Sequence, residues 1–153
     1  MPDRIEELKA KAEVLIEALP YIQRFNRRII VVKYGGSAML DEELKKSVIQ
    51  DVTLLKLVGF KPIIVHGGGK EISALLERLQ VETHFENGYR VTDQTVLETA
   101  EMALSARVNK SIVAALDRIG AKACGISGRD GVLITARQKD KALGLVGTIT
   151  KVD

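Results

Sequence analysis

The 153-residue chain carries 23 basic and 20 acidic side chains, a net charge of +3 too small and too dispersed to argue for nucleic acid; with no Trp and few other aromatics it also lacks a base-stacking surface. Its 46% apolar and 28% charged content is that of a soluble globular protein, expected as one domain that buries about two-thirds of its unfolded surface. The lone Cys124 excludes an internal disulfide and fits a reducing cytoplasm, His66 and His84 beside it are too few for a zinc site, and a charged N-terminus with no apolar run near about 18 residues argues against a signal peptide or membrane partner.

Residues 3–25 read as a helix, with Asp3 as N-cap and Glu6 three residues on, as in a capping box. Ile5, Leu8, Ala12, Leu15, Leu19 and Ile22 recur at gaps of 3, 4, 3, 4 and 3, a thin seam of the coiled-coil kind. Pro20 deletes a hydrogen bond and crowds the Ile16 carbonyl, which predicts a kink there. Such a helix either packs on its own domain or, the reading preferred, forms an arm over residues 1–26 that packs on another subunit. Arg24, Arg27 and Arg28 close it, either as solvated charges suited to a helix C-terminus, the reading preferred, or as a small-anion or effector site.

Strand, glycine turn and helix then occur twice. Ile29 to Tyr34 is an apolar, β-branched run followed by Gly35-Gly36-Ser37 and a helix over about 41–58 with Leu44, Val48, Val52, Leu55 and Val58 on one face. Pro62 opens a second run, Ile63-Ile64-Val65-His66, followed by Gly67-Gly68-Gly69 and a helix carrying Ile72, Leu75, Leu76 and Leu79. This is the pattern of a mainly parallel α/β sheet with strands covered on both faces. Ligands in such sheets sit at the carboxyl ends of the strands, so both turns face one site. Three glycines remove every side chain from a turn that opens a helix, and the free N–H groups and positive helix end favour an anion over a bare tight turn. Lys33 interrupts the first strand near that end, either as a snorkelling edge residue or, preferred, as a phosphate ligand. The P-loop pattern fails, with Ile64 where its first glycine should be and Glu71 after Lys70; the dinucleotide pattern fails at Ile72.

Residues 81–91 read as a hairpin turning at Glu86-Asn87-Gly88. Thr92 or Asp93 caps a long helix to about Ile119, apolar over so much of its circumference that it suits both the sheet and another surface, and Gly120 ends it. Residues 122–126 read as a strand, Gly128 to Gly131 as a turn, 132–137 as a strand, 138–144 as a polar loop and 145–152 as the last strand. Asp130 sits in an Asp-Gly turn signal and is left out of the site. His66 reads as a hydrogen-bonded structural residue, and Arg90 as either a surface arginine or a carboxylate clamp whose planar fork suits that task.

Three stretches in order, Lys33-Tyr34-Gly35-Gly36-Ser37-Ala38-Met39, Val65-His66-Gly67-Gly68-Gly69 and Asn87-Gly88-Tyr89-Arg90-Val91-Thr92-Asp93, resemble the motifs of the amino acid kinase superfamily, and the third resembles the acetylglutamate kinases within it. The resemblance implies a three-layer αβα sandwich over 27–153 that binds the amino-acid substrate, N-acetyl-L-glutamate. It implies Lys33 neutralising charge on the transferring phosphoryl group, and Gly35, Gly36, Gly67, Gly68 and Gly69 lining the oxygen cradle. Arg90 would grip a substrate carboxylate. It also implies a homodimer through helix 93–119 and a hexamer of the arginine-inhibited type through helix 3–25. ATP and Mg2+ would serve the full-length enzyme. The family's second lobe, with most of the nucleotide site, would follow at about residues 148–153, so the chain alone is expected to bind substrate without turnover and to hold no cofactor. A non-catalytic assembly module and a minimal one-lobe kinase are the competing expectations.

Overall fold

The computed structural model describes residues 2–39 and 41–153. Their order is α1 (Pro2–Phe25), β1 (Ile29–Tyr34), a 3-10 turn (Gly36–Met39), α2 (Glu42–Leu57), β2 (Lys61–His66), α3 (Gly69–Arg78), β3 (Phe85–Glu86) and β4 (Tyr89–Arg90), then α4 (Gln94–Glu101), a π-helical segment (Met102–Val108), α5 (Asn109–Arg118), a second 3-10 turn (Asp130–Val132), β5 (Ile134–Gln138) and β6 (Gly147–Val152).

The two β-branched runs pair in parallel, from Ile29 against Lys61 to Tyr34 against His66. Between them α2 starts at Asp41, whose carboxylate accepts the Glu43 and Leu44 N–H groups, and Glu42 and Glu43 add negative charge at its positive end. It stops at Val58 before Gly59, whose carbonyl accepts the Arg27 N–H at 2.7 Å. Side chains alternate across a strand, so the sheet has two faces. Val32, Tyr34 and Ile64 belong to the core, with Ile49 and Val52 of α2 and Ile112 and Leu116 of α5. On the opposite face Ile29, Val31, Ile63 and Val65 are exposed. Burial on both faces, expected from the apolar runs, is therefore corrected to one: α2 and α5 both serve the inner face.

Several elements differ from expectation. The α1 helix starts at Pro2, one residue ahead of the expected start, and includes Pro20. The Asp3 cap rests on a side chain outside the described residues. Leu8, Leu15 and Leu19 of α1 are exposed, and its last residue, Phe25, packs edge-on against Phe60 with ring centroids 6.2 Å apart. Residues 122–126 form no strand. Their peptide groups are held by side chains instead: Lys56 donates to the Lys122 carbonyl, Lys110 to that of Gly125 and Asn109 to that of Ile126, while the Ala123 N–H donates to Asp117. The hydrogen-bonded hairpin is only Phe85–Glu86 with Tyr89–Arg90, and the last strand starts at Gly147 rather than at Leu145. β5 and β6 form a separate antiparallel ribbon, so among the described residues the parallel sheet has two strands.

The long helix from Asp93 is interrupted by the π segment. Asp93 caps it, accepting the Val96 N–H at 2.8 Å. The π turn brings Leu104 and Val108 against the glycine turn after β2: a side chain on Gly68 would come within 2.5 Å of Leu104 Cδ2 and 3.4 Å of Val108 Cγ2. Gly68 is thus a packing requirement as well as an open approach.

Candidate functional site

The parallel pairing of β1 and β2 places both glycine turns at one end of the sheet. They touch: a Cβ on Gly35 would lie 3.8 Å from the Gly67 nitrogen, and the Gly67 N–H donates to the Tyr34 carbonyl at 2.9 Å. Tyr34 turns its ring into the core, where burial pushes the phenol above its ordinary pKa and keeps it a neutral donor to the Ala38 carbonyl, 3.1 Å away. That bond braces the 3-10 turn in which Gly36 stands at φ +66°, a conformation glycine adopts without strain.

Above the turns lies a cavity of about 420 Å³ lined by Gly36, Met39, Gly68, Gly69, Lys70, Glu71, Ile72, Ser73, Phe85 and Arg90. The first turn of α3 forms one wall. Its leading N–H groups have no intrahelical acceptor and, among the described residues, no side chain caps them.

Arg90 reaches the cavity because the hairpin register delivers it. Asn87 and Gly88 both have positive φ, +49° and +81°, as a two-residue turn requires, and the turn pairs Glu86 with Tyr89 and Phe85 with Arg90. The guanidinium lies over the Phe85 ring, 4.6 Å from its centroid. Arg90 Nη2 donates to Ser73 Oγ at 2.8 Å, and Nη1 to Thr83 Oγ1 at 3.4 Å. The strand exit is pinned from below: the Thr92 hydroxyl donates to the Arg90 carbonyl, the Thr92 N–H to the Leu143 carbonyl, and the Leu145 N–H to the Thr92 carbonyl. The loop at 138–144 therefore supports the hairpin, a role its polar composition did not announce.

Of the expected site residues, Gly36, Gly68, Gly69 and Arg90 line this cavity, and Gly35 and Gly67 join the two turns beneath it. Lys33 stands apart. It is exposed on the outer sheet face opposite Val65, and among the described residues it has no hydrogen-bond or ion-pair partner. His66 has the structural role expected of it, with Nδ1 2.9 Å from the Gly67 carbonyl oxygen and Nε2 3.4 Å from Asn109 Nδ2. Asp130 accepts the Ser127 N–H at 2.6 Å, which holds its carboxyl below the usual value; it is a turn residue. Met39, Lys70, Glu71, Ile72, Ser73 and Phe85 were not foreseen. Phe85 was accessible in principle, since a two-residue turn at Asn87-Gly88 places it across from Arg90.

The cavity is thus bordered by two glycine turns, the N-terminus of α3 and an arginine, at the carboxyl end of a parallel strand pair. Residues 28–153 match the model of the amino acid kinase family, and the chain belongs to that family. It is 57% identical over 143 residues to acetylglutamate kinase of Campylobacter jejuni, covering 94% of this chain and 51% of that protein. It is 53% identical over 143 residues to acetylglutamate kinase of Thermoanaerobacter pseudethanolicus, covering 94% and 48%. Among solved structures it resembles smu.665 from Streptococcus mutans UA159, with a TM-score of 0.72 and 30% identity over 82% of this chain and 51% of that one. It also resembles N-acetylglutamate synthase from Neisseria gonorrhoeae, solved with coenzyme A and N-acetyl-glutamate, with a TM-score of 0.67 and 27% identity over 91% of this chain and 32% of that one. The mixed α/β lobe is of the αβα amino acid kinase type, and the chain spans about half the length of the curated relatives it matches.

Proposed function

We propose that this chain is the substrate-binding lobe, over residues 27–153, of an acetylglutamate kinase that transfers the γ-phosphoryl group of ATP to the side-chain carboxylate of N-acetyl-L-glutamate in the cytoplasm. The observation that carries the reading is the convergence of Arg90 and the Gly68-Gly69 turn on one cavity. Phosphoryl transfer needs little covalent help from the protein and depends on positioning and charge stabilisation. The guanidinium of Arg90 would hold a substrate carboxylate by paired N–H donors. The uncapped N–H groups at the start of α3 would receive phosphoryl or reacting-carboxylate oxygens. Lys33, on the outer face beside the first turn, would neutralise charge on a phosphoryl group arriving from that side.

ATP and Mg2+ belong to the whole kinase. The cradle fits phosphoryl oxygens through its backbone donors, with open space at Gly36 and Gly69. For Mg2+ there is no match: no three His, Cys, Asp or Glu side chains among the described residues gather to hold a metal ion, and no step here runs through one. No helix among the described residues is long and apolar enough to cross a membrane. The exposed α1 stripe of Leu8, Leu15 and Leu19 supports the arm as a contact between subunits in a hexamer, with helix 93–119 as the dimer surface.

Calorimetric titration with N-acetyl-L-glutamate, with and without Mg2+ and a non-hydrolysable ATP analogue, tests the reading. The expected result is acetylglutamate heat that is lost in Arg90→Ala and weakened in Lys33→Ala, with no nucleotide heat. Tight nucleotide binding would favour a minimal kinase instead, and silence for both ligands would favour an assembly module.

A further inference from the structure

We propose that Ser73 and Phe85 are positioning residues that hold the Arg90 guanidinium as a preformed clamp for the substrate's α-carboxylate, an inference that rests on the substrate-binding reading. That reading makes the side-chain carboxylate the phosphoryl acceptor, which leaves the α-carboxylate for a fixed cation.

The argument begins with the company Arg90 keeps. Ser73 Oγ donates its one proton to the Gly69 carbonyl at 3.0 Å, so its lone pairs face Arg90 Nη2 at 2.8 Å. Nη2 also lies 3.4 Å from the Gly69 carbonyl oxygen, Nη1 reaches the Thr83 hydroxyl, and the Phe85 ring covers one face of the guanidinium. Every one of these partners is neutral. Among the described residues no carboxylate pairs with Arg90; Glu71, the one acidic side chain lining the cavity, forms no ion pair with it. Arg129 shows the contrasting arrangement. Its Nη1 lies 2.6 and 2.5 Å from the two carboxylate oxygens of Glu101, and its charge is answered. Two hydroxyls, a carbonyl and an aromatic face instead fix the Arg90 fork in place while leaving its full charge for a ligand. A flexible arginine must lose rotamer freedom when it binds; one already held does not. The cation–π contact adds attraction without neutralising the charge.

Position on the chain supports the same role. Ser73 is one helical turn into α3, on the side facing the hairpin, and Phe85 is the cross-strand partner of Arg90. The clamp therefore ties the hairpin to the helix whose N-terminus forms the anion cradle, and fixes the distance between them.

The test compares N-acetyl-L-glutamate with its α-carboxamide as calorimetric probes in the wild-type chain, Ser73→Ala, Ser73→Thr and Phe85→Leu. The wild type should prefer the acid over the amide by about tenfold or more, as a charge-assisted hydrogen-bond pair implies. That preference should shrink about threefold to tenfold in Ser73→Ala and Phe85→Leu and return in Ser73→Thr, which keeps the hydroxyl. Equal weakening of acid and amide would mean that both residues only support the fold and would overturn the proposal while leaving the substrate reading intact. A wild-type chain that binds neither probe would defeat the substrate reading. The clamp is then judged on nitrogen relaxation of the ligand-free Arg90 Nε–Hε group: its order should fall in Ser73→Ala, and unchanged order would overturn the clamp as well.

Discussion

Two hollows among the described residues differ sharply in character. The one above the glycine turns is about 420 Å³ and is built from a helix N-terminus, the glycines Gly36, Gly68 and Gly69, and an arginine. The other is about 780 Å³ and lies between β2 and residues 121–128, floored by Ile112, Val113 and Leu116. The larger volume is the weaker candidate. Along its wall the peptide groups of residues 122–126 pair with the side chains of Lys56, Asn109, Lys110 and Asp117. Within that region the buried Oδ1 of Asn109 has no hydrogen-bond partner, and it fills the space a Gly125 side chain would need. The smaller hollow has convergent donors and an unanswered positive charge. Chemistry, rather than size, separates a site from a packing gap.

Mutations sharpen the contrast. The largest expected effect is on ligand affinity: Arg90→Ala should cost about 2–5 kcal/mol of acetylglutamate binding, at least about thirtyfold, measured by titration. Gly125→Ala, beside the larger hollow, should instead lower unfolding stability by about 1–3 kcal/mol in urea and leave that affinity unchanged, because its new methyl collides with Asn109. Gly68→Ala should do some of both. Leu104 Cδ2 can yield, so the stability loss is about 1 kcal/mol, but the methyl pressing on Leu104 and Val108 shifts the turn that carries the cradle's N–H groups and affinity falls. Asp41→Ala removes the α2 cap and should cost about 1 kcal/mol of stability with no change in binding.

The smallest effect is one of pH. The Ser127 N–H holds the Asp130 carboxyl below its ordinary pKa, so the folded state binds a proton there less readily than the unfolded chain. The resulting stability is present above the unfolded carboxyl value of about 3.9 and is lost as pH falls through the lowered folded value. Acid unfolding of Asp130→Asn should lack that increment; identical acid profiles would contradict it.

Much of this arrangement was legible in the chain. The β-branched runs ending in glycine located β1 and β2 to within a residue, the start of α2 near residue 41 was readable, and Asp93 was one of two candidate caps with Thr92. The meeting of the two glycine turns followed from parallel pairing alone. What stayed hidden depends on partners distant in sequence. The apolar character of Val31 and Ile63 does not say whether a helix will cover them, and in this fold none of the described ones does. The π turn answers the close approach of Leu104 to Gly68, which no helical period can report. Residues 122–126 have strand composition, yet four side chains from α2 and α5 take up their peptide groups. Arg90 was visible as a cation, whereas its neutral surroundings, on which its use depends, came only with the contacts of Ser73, Thr83 and Phe85.

Nitrogen-15 amide mapping of the chain during titration with N-acetyl-L-glutamate tests the central claim most directly. The account predicts the largest shifts at Gly36, Gly68, Gly69 and the Arg90 Nε–Hε group, with residues 122–126 unmoved. Shifts concentrated on β2 and residues 122–126, around the larger hollow, would contradict it.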